Sequence, residues 1–243
     1  MTTVTKATRK VWSVASGLTD DLLSLFYPNI CQACGRPLVR GEQAVCLICR
    51  VDLPETGYHQ YLDNPVAKKF WGRVTLSGAT TLYHFRKGSK VQQLLHRFKY
   101  QSKRDIGIKL GNHFGLQLKN ETPYRDAEVI VPVPLHKRKE HKRGYNQSTV
   151  FAEGLAERMG IGVLRHALVR EVHTDSQTKR ARFERWENVE TVFRLKKPEV
   201  IEGKHIMLVD DVITTGATIE ACAAELVKAP GVTVCVVAIA SPL

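Results

Sequence analysis

The stretch Ile206-Met-Leu-Val-Asp-Asp-Val-Ile-Thr-Thr-Gly-Ala-Thr218 decides the fold of this chain. Its four leading apolar residues predict a buried strand, and the small residues after the acids predict a turn that opens a helix near Ala217. In open α/β sheets, parallel strands end at a crevice where ligands bind. We therefore expect an α/β fold in which Asp210 and Asp211 face such a crevice.

The turn after the acids suits a phosphate group. Its small side chains let backbone N–H groups approach an anion, and the helix that follows adds a favourable dipole. The stretch is not a Walker A loop, because no lysine follows the glycine. The alternative is that these residues only cap the next helix, although a cap needs one such residue. The candidate phosphate-binding residues are Thr214, Thr215, Gly216, Ala217 and Thr218.

The same stretch resembles the signature of the type I phosphoribosyltransferases at every position. That signature has four apolar residues, two acids, two apolar residues and then Thr-Thr-Gly-x-Thr. The resemblance implies a parallel sheet flanked by helices. It also implies that Asp210 and Asp211, our catalytic candidates, contact the ribose hydroxyls of phosphoribosyl pyrophosphate while the turn holds its 5-phosphate. Mg²⁺ would then be held mostly by pyrophosphate oxygens, ribose hydroxyls and water.

The charge balance indicates an anionic partner. The chain has 243 residues and a net charge of +12, from 36 Lys and Arg against 24 Asp and Glu. Nucleic acid, an anionic membrane surface and a highly phosphorylated small substrate all fit this excess, and charge does not choose among them. We find no apolar run long enough to cross a bilayer and no secretory signal, so we expect a cytoplasmic protein.

The amino-terminal region, residues 1–30, is predicted to carry an amphipathic helix. Apolar residues recur at helical spacing between Trp12 and Ile30, with acids on another face. Such a helix either docks on the body of the protein or makes peripheral contact with a membrane surface.

Two Cys-x-x-Cys pairs, Cys31 with Cys34 and Cys46 with Cys49, predict a small metal-binding module over residues 31–53. This spacing is typical of a tetrahedral Cys₄ zinc site, and Gly35 permits the tight turn. Disulfides are the alternative, but a reducing compartment favours metal. Because all four ligands would be thiolates, no position stays open for water, and we expect a structural zinc ion.

A connecting region is predicted over residues 54–77, followed by the α/β domain over residues 78–243. Within that domain we expect a strand over Gly78–Phe85 and helices over residues 91–99 and 105–119. Lys99, at the end of the first helix, is either a ligand-binding lysine or a partner of the helix dipole.

A second strand-loop-helix pattern begins at Val129-Ile-Val-Pro-Val-Pro134. A loop with five Lys and Arg follows, closes with Arg143-Gly144, and leads into a helix near Gln147. A charge run of this kind is usually solvated. Here it follows the carboxyl end of a strand, where a flexible backbone can fold around an anion such as a diphosphate.

Taken together, the motifs resemble the ComF family from Cys31 onward. They are the cysteine pairs, Pro-Val-Pro-Leu-His136, Arg143-Gly-Tyr-Asn-Gln147, a Thr174-x-x-Gln177 to Arg185-x-x-Asn188 pattern with Phe193, and the acidic stretch. The resemblance implies that Arg143, Gly144 and Asn146 bind pyrophosphate, with His136 and Arg138 as further candidates. It also implies a role in natural transformation, with single-stranded DNA and other DNA-uptake proteins as partners.

The basic segment between Leu164 and Leu195 lies where type I phosphoribosyltransferases have a mobile flap. Lys179 and its basic neighbours are candidates to reach the phosphates on closure. An exposed, salt-bridged helix is the alternative. Nothing after Pro242 provides a base-binding hood, so we expect an acceptor site either to come from the amino-terminal half or to be absent.

Three hypotheses for the function follow. The first is a ComF-like protein that binds phosphoribosyl pyrophosphate with Mg²⁺ and handles single-stranded DNA. The second is an active phosphoribosyltransferase, which displaces pyrophosphate and needs its leaving-group charge neutralised. The third is a structural adaptor built on the zinc module. Single-strand binders usually interleave stacking aromatics with basic residues, and this chain has no such series.

Overall fold

The computed structural model describes residues 29–100, 103–172 and 191–242. The predicted amphipathic helix of residues 1–30 lies almost wholly outside these ranges, and so does Lys179 with most of the predicted flap. The chain separates into two units, one ending at Asp52 and the other beginning at Leu53. In the described residues, no helix is both long enough and apolar enough to span a membrane.

The described part of the first unit is built around the four cysteines. A turn at Cys31–Gly35 is closed by the Gly35 N–H, which donates to the Cys31 carbonyl over 2.8 Å, and Gly35 has a φ of 80°. Helix α1 (Leu47–Asp52) carries Cys49 as its buried residue. The turn and the amino end of α1 bring the two cysteine pairs together.

The second unit alternates helices and strands. In chain order its main elements are α2 (Pro65–Lys68), β1 (Gly78–Phe85), α3 (Lys90–Tyr100), α4 (Arg104–Leu118), β2 (Val129–Pro132), α5 (Lys137–Arg143), α6 (Gln147–Met159), β3 (Gly162–Val163), β4 (Leu168–Val172), β5 (Thr191–Leu195), β6 (His205–Val212), α7 (Ala217–Leu226) and β7 (Thr233–Pro242).

Five of the strands form a parallel sheet in the order β1-β7-β6-β2-β3. Strand β6 is central, with Val209 paired to Pro132 of β2 and Asp210 paired to Ala238 of β7. Its apolar residues Ile206–Val209 are fully buried, as are most of those in β7. Strands β4 and β5 form a separate antiparallel pair. The predicted α/β class with a parallel sheet flanked by helices is confirmed.

Close packing of α4 on α6 fixes the position of the α6 amino end. Gly154 of α6 lies against the backbone of α4, where an added Cβ would collide with the carbonyl of Ile108. Gly111 of α4 makes the reciprocal approach to the backbone of α6. The absence of side chains at these two positions lets the helices meet closely, and α6 then presents its first turn to the carboxyl edge of the sheet.

The basic segment after β2 differs from the prediction. A loop was expected, but residues Lys137–Arg143 form α5. The His136 ring accepts from the Arg138 N–H over 3.1 Å at the start, and Gly144 ends the helix at a φ of 79°. No residue of α5 is buried, so this helix has no apolar face that packs on the protein. The high helix propensity of lysine, arginine and glutamate and the two caps favour it instead.

Candidate functional site

Asp210 lies at the carboxyl end of β6 and is fixed by two donors. The Ser148 hydroxyl donates to its Oδ1 over 2.9 Å, and the Asp211 N–H donates to the same oxygen over 2.8 Å. Ser148 is buried in the first turn of α6. The contact therefore ties the acidic stretch to the helix that follows β2.

Asp211 is paired with a lysine from a different part of the chain. The Lys99 Nζ lies 2.8 Å from the Asp211 Oδ2, and the two side chains are 24% and 16% exposed. Lys99 belongs to the last turn of α3. Lys99, which the sequence analysis treats as either a ligand-binding lysine or a partner of the helix dipole, thus lies beside the acidic pair.

Asp210 titrates close to neutral pH in this setting. Burial is the largest cause, and together with the adjacent Asp211 carboxylate it raises the pKa of Asp210 to about 7. The Asp211 N–H, the Ser148 hydroxyl and Lys99 oppose the shift by stabilising the ionised form. Asp210 is therefore mostly protonated at pH 5 and mostly ionised at pH 8.

The segment Arg143–Gln147 is held against both β2 and α3. Asn146 caps α6 by accepting from the Ser148 N–H, and its amide donates to the Val133 carbonyl over 2.9 Å. The Tyr145 hydroxyl donates to the carbonyl of Phe98, the residue before Lys99. These contacts place the segment beside the acidic pair.

The Arg143 guanidinium is oriented by two neighbours. It donates to the Gln147 side-chain oxygen over 2.6 Å and lies 5.5 Å from the ring centre of Tyr100. Because Tyr100 follows Lys99 directly, Arg143 and Lys99 approach the same end of α3. Two cationic side chains thus border the carboxylates.

The turn between β6 and α7 requires its glycine. Gly216 has a φ of 88°, and an added Cβ would lie 2.8 Å from the Phe70 ring. Thr214, Thr215, Ala217 and Thr218 are exposed around it. The turn therefore offers hydroxyls and the amino end of a ten-residue helix to an anion.

These elements enclose a cavity of about 220 Å³, which we call the carboxylate cavity. Of the predicted site residues it is lined by Lys99, Arg143, Asn146, Asp210, Asp211 and Thr218. Lys139 and Arg170 also line it, so four basic side chains surround two acidic ones. This charge balance favours an anionic ligand that also offers hydroxyl groups to the two carboxylates.

The other predicted residues that the structure describes do not line this cavity, and four of them lie in the turn before Thr218: Thr214, Thr215, Gly216 and Ala217. His136 and Arg138 border a neighbouring cavity together with Arg170. Gly144 borders a larger cleft on the other side of the Arg143–Gln147 segment. Lys179 lies outside the described residues.

The four cysteines of the first unit form a cluster that can hold a metal ion. Their Sγ atoms all lie within 4.8 Å of one another, and those of Cys34 and Cys46 are 3.8 Å apart. A zinc ion bonded to four sulfurs at about 2.3 Å separates neighbouring sulfurs by about 3.8 Å. The spacing fits a tetrahedral ion.

Backbone donors prepare one of these thiols for ionisation. Burial opposes ionisation of Cys31, but N–H groups including that of Cys46, at 3.3 Å, donate to its sulfur and lower its pKa to about 6. The Cys49 N–H also donates to the Cys46 sulfur, over 3.5 Å, but burial and the neighbouring Cys31 and Cys34 thiols outweigh this bond and raise the pKa of Cys46. Such N–H to sulfur bonds stabilise thiolates, the form that binds metal.

Sequence comparison shows which known proteins this chain is related to. A sequence model described as the phosphoribosyl transferase domain matches residues 146–242. The DNA utilization protein YhgH of Escherichia coli K12 is 27% identical over 223 residues, covering 84% of this chain and 93% of that protein. The competence protein ComFC of Bacillus subtilis 168 is 29% identical over 200 residues, covering 82% of this chain and 72% of that protein. The chain is a homologue of the ComF proteins.

Among solved structures, one similar to this ComF homologue is a purine phosphoribosyltransferase from Pyrococcus horikoshii. The aligned region covers 55% of this chain and 80% of that enzyme's chain, with 16% identity and a TM-score of 0.35. The matched phosphoribosyl transferase domain begins at Asn146 and includes the whole stretch from Ile206 to Thr218. Lys99, Arg143 and the cysteines lie before it. The assignment of Lys99 and Arg143 to the carboxylate cavity, and of the cysteines to a metal site, therefore rests on the geometry of this chain.

Sequence reasoning missed three side chains of the carboxylate cavity. Ser148 directly follows the motif Arg143–Gln147. Its position at a predicted helix start was the signal that could have identified it. Lys139 was visible only as one member of a charge run. Arg170 belongs to β4 and stacks 5.7 Å from the ring centre of Phe193 on β5, which no local pattern predicts.

Proposed function

We propose that this ComF homologue binds phosphoribosyl pyrophosphate in the carboxylate cavity. The observation that carries the proposal is the meeting of the Asp210–Asp211 pair with Lys99, Arg143 and Lys139 at the carboxyl edge of a parallel sheet. A ligand with vicinal hydroxyls and a diphosphate matches this lining, because the hydroxyls suit the carboxylates and the diphosphate suits the basic side chains. The matched phosphoribosyl transferase domain supports the same ligand class.

Each part of the ligand has a partner in this proposal. Asp210 and Asp211 accept from the ribose hydroxyls. The turn Thr214–Thr218 holds the 5-phosphate through its N–H groups and hydroxyls. Lys99 and Arg143 neutralise the diphosphate, for which a guanidinium and an ammonium are the usual partners.

Mg²⁺ fits the site as a companion of the diphosphate. Asp210 and Asp211 supply the oxygen donors that a hard cation prefers, but both are already engaged, by Ser148 and by Lys99. We expect diphosphate oxygens and water to hold most of the ion. When bound, Mg²⁺ neutralises charge on the diphosphate.

We propose a structural zinc ion for the cysteine cluster. The sulfur spacing supports four thiolate ligands from Cys31, Cys34, Cys46 and Cys49. A closed Cys₄ site leaves no position for substrate, so its role is to stabilise the first unit.

The cellular role that we propose is the handling of single-stranded DNA in the cytoplasm during DNA uptake, together with other uptake proteins. Homologues named for competence and DNA utilization support it, and so does the net charge of +12. Binding of a single-stranded oligonucleotide that weakens steeply with added salt would agree with this role. Retention that is independent of salt would count against it.

Phosphoribosyl transfer to an acceptor is the second candidate function. The surplus of basic over acidic side chains in the carboxylate cavity favours it, because charge neutralisation is what departure of pyrophosphate requires. Pyrophosphate release from phosphoribosyl pyrophosphate and Mg²⁺ with a panel of nucleobases tests it. Release that needs no acceptor, or no release at all, would leave binding alone as the function.

Ligand-induced stabilisation tests the binding proposal. Phosphoribosyl pyrophosphate with Mg²⁺ should raise the thermal midpoint of the protein, since a ligand that binds only the folded state stabilises it. Arg143→Ala should reduce this rise strongly. Arg158→Ala, which changes an exposed arginine at the far end of α6, should leave it intact. Equal rises in both variants would contradict the assignment of Arg143.

A further inference from the structure

Residues 64–74, which contain helix α2, connect the sheet to the turn between β6 and α7; we call them the bracing segment. The buried side chain of Asn64 fixes its first end. The Asn64 side-chain oxygen accepts from the N–H groups of Val66 and Ala67 at the start of α2. Its amide donates to the Ala79 carbonyl of β1 over 2.9 Å. The bracing segment is therefore anchored on the edge strand of the parallel sheet.

The middle of the bracing segment packs against the turn Thr214–Thr218, the proposed 5-phosphate turn. The Phe70 ring is fully buried and lies so close to Gly216 that an added Cβ would come within 2.8 Å of it. Gly216 also has a φ of 88°, which only glycine adopts readily. The ring therefore gives the turn a solid surface on one side.

Arg73, near the other end of the bracing segment, contacts the same turn through its guanidinium. One nitrogen donates to the Thr215 carbonyl over 3.2 Å and to the Lys69 carbonyl over 3.3 Å. Another nitrogen pairs with the carboxylate of Glu220, which lies in the first turn of α7. Arg73 thus binds a backbone carbonyl of the turn and a side chain of the helix that the turn opens.

The contact with the Thr215 carbonyl sets the direction of the next N–H group. The peptide between Thr215 and Gly216 is trans, and in a planar trans peptide the C=O and N–H groups point in opposite directions. The Gly216 N–H therefore points away from Arg73. Backbone N–H groups at a helix start are the donors that bind a phosphate. Arg73 thus holds the carbonyl on one side of the turn and keeps the N–H for a ligand on the other.

The contact with Glu220 controls the charge at the start of α7. A helix amino end favours one negative charge, and a phosphate bound there meets repulsion from a neighbouring carboxylate. The side chains of Arg73 and Glu220 are 40% and 32% exposed, so water screens this repulsion only in part. Pairing with Arg73 neutralises the carboxylate beside the proposed phosphate position.

We propose that Arg73 is a positioning residue for the 5-phosphate. It acts through the Thr215 carbonyl and the Glu220 carboxylate and does not itself touch the ligand. This inference rests on the proposed function of the turn Thr214–Thr218. Loss of Arg73 should harm recognition of the 5-phosphate and spare recognition of the diphosphate, which is assigned to side chains of other elements.

Titration calorimetry on the full chain with two probes separates the two ends of the ligand. Ribose 5-phosphate requires the turn, whereas inorganic pyrophosphate with Mg²⁺ requires the diphosphate partners. We expect Arg73→Ala to weaken ribose 5-phosphate about five- to tenfold, the net effect of one lost hydrogen bond, and to change pyrophosphate less than about twofold. Arg73→Lys should keep part of the affinity, because lysine retains the charge beside Glu220 but lacks the planar fork of donors.

Amide hydrogen exchange gives a second measurement that needs no ligand. The Glu220 N–H donates to the Gly216 carbonyl over 2.9 Å and therefore reports on the order of the turn. Its exchange should become several-fold faster in Arg73→Ala, while amides of the central strand β6 keep their rates. The control is Arg125→Ala, which removes an arginine that is 55% exposed and pairs with the adjacent Asp126. It should change neither the two affinities nor the exchange of Glu220.

Three results in Arg73→Ala would overturn the inference. They are an unchanged affinity for ribose 5-phosphate, an equal weakening of both probes, and an unchanged exchange rate at Glu220. Failure of the unmodified protein to bind ribose 5-phosphate would contradict the proposed function instead, and the exchange rate would still decide whether Arg73 orders the turn. Circular dichroism of each variant checks that the fold is kept.

Discussion

Replacing Asp210 by asparagine should stabilise the ligand-free protein at pH 8 and much less at pH 5. Burial and the Asp211 carboxylate raise the pKa of Asp210 to about 7, against 3.8 for an ordinary aspartate. The folded state therefore holds this proton more tightly than the unfolded chain does. The stability associated with Asp210 is complete below pH 3.8 and is lost as the pH rises toward 7.

The size of the effect follows from the two pKa values. Each pKa unit corresponds to about 1.4 kcal/mol, so the raised pKa lowers the free energy of unfolding by about 4 kcal/mol at pH 8 and by about 2 kcal/mol at pH 5. Asparagine keeps an oxygen for the Ser148 hydroxyl and the Asp211 N–H, so the two hydrogen bonds survive. Relaxation around the charge reduces the gain, and we expect about 2 to 4 kcal/mol at pH 8.

Urea unfolding at both pH values measures this difference directly. The control is Asp63→Asn, which alters a carboxylate that is 67% exposed and pairs with Lys68 at the surface. Its effect should stay within about 1 kcal/mol at either pH. An equal change in the free energy of unfolding at pH 5 and pH 8 in Asp210→Asn would refute the reasoning, as would destabilisation at pH 8.

Three further changes probe the two sites. Lys99→Met removes the cation beside Asp211 and should weaken binding of phosphoribosyl pyrophosphate about tenfold by calorimetry. Gly216→Ala forces a Cβ toward the Phe70 ring at a positive φ, and should lower the free energy of unfolding in urea by about 1 to 3 kcal/mol. Cys34→Ser should reduce the zinc content, measured by elemental analysis, from about one ion per chain to less than half.

Each of these changes has a control in the same chain. Lys109→Met alters a half-buried lysine whose contact with Asp105 is 3.8 Å long, and should leave ligand affinity unchanged. Gly162→Ala meets no atom within 4 Å. Cys222→Ala alters a cysteine outside the metal cluster. Variants that behave like their controls would contradict the roles assigned to Lys99, Gly216 and Cys34 respectively.

Local sequence patterns predicted the secondary structure around the acidic pair well. The apolar run before Asp210, the turn at Gly216 and the helix start near Ala217 are all encoded within thirteen residues, and each is where the sequence placed it. Strand β1 and helices α3 and α4 also follow local periodicity closely. Elements of this kind depend on interactions between residues that are near in the chain.

The partners of the acidic pair could not be predicted in the same way. Ser148 reaches Asp210 because β2 lies next to β6 and because Gly154 lets α6 pack closely on α4. The contact of Lys99 with Asp211 similarly depends on how α3 packs on the sheet. The helix over Lys137–Arg143 was missed for a different reason: none of its residues is buried, so its charge run lacks the apolar periodicity that predicts a helix.

The central claim is that the Asp210–Asp211 pair binds phosphoribosyl pyrophosphate. Titration calorimetry of the ligand with Mg²⁺ at pH 8, on the unmodified protein and on Asp211→Asn, tests it most directly. We predict one ligand per chain for the unmodified protein and at least about tenfold weaker binding for the variant, because a charged acceptor of the ribose hydroxyls is lost. No detectable binding by the unmodified protein, or equal affinity in the variant, would contradict the claim.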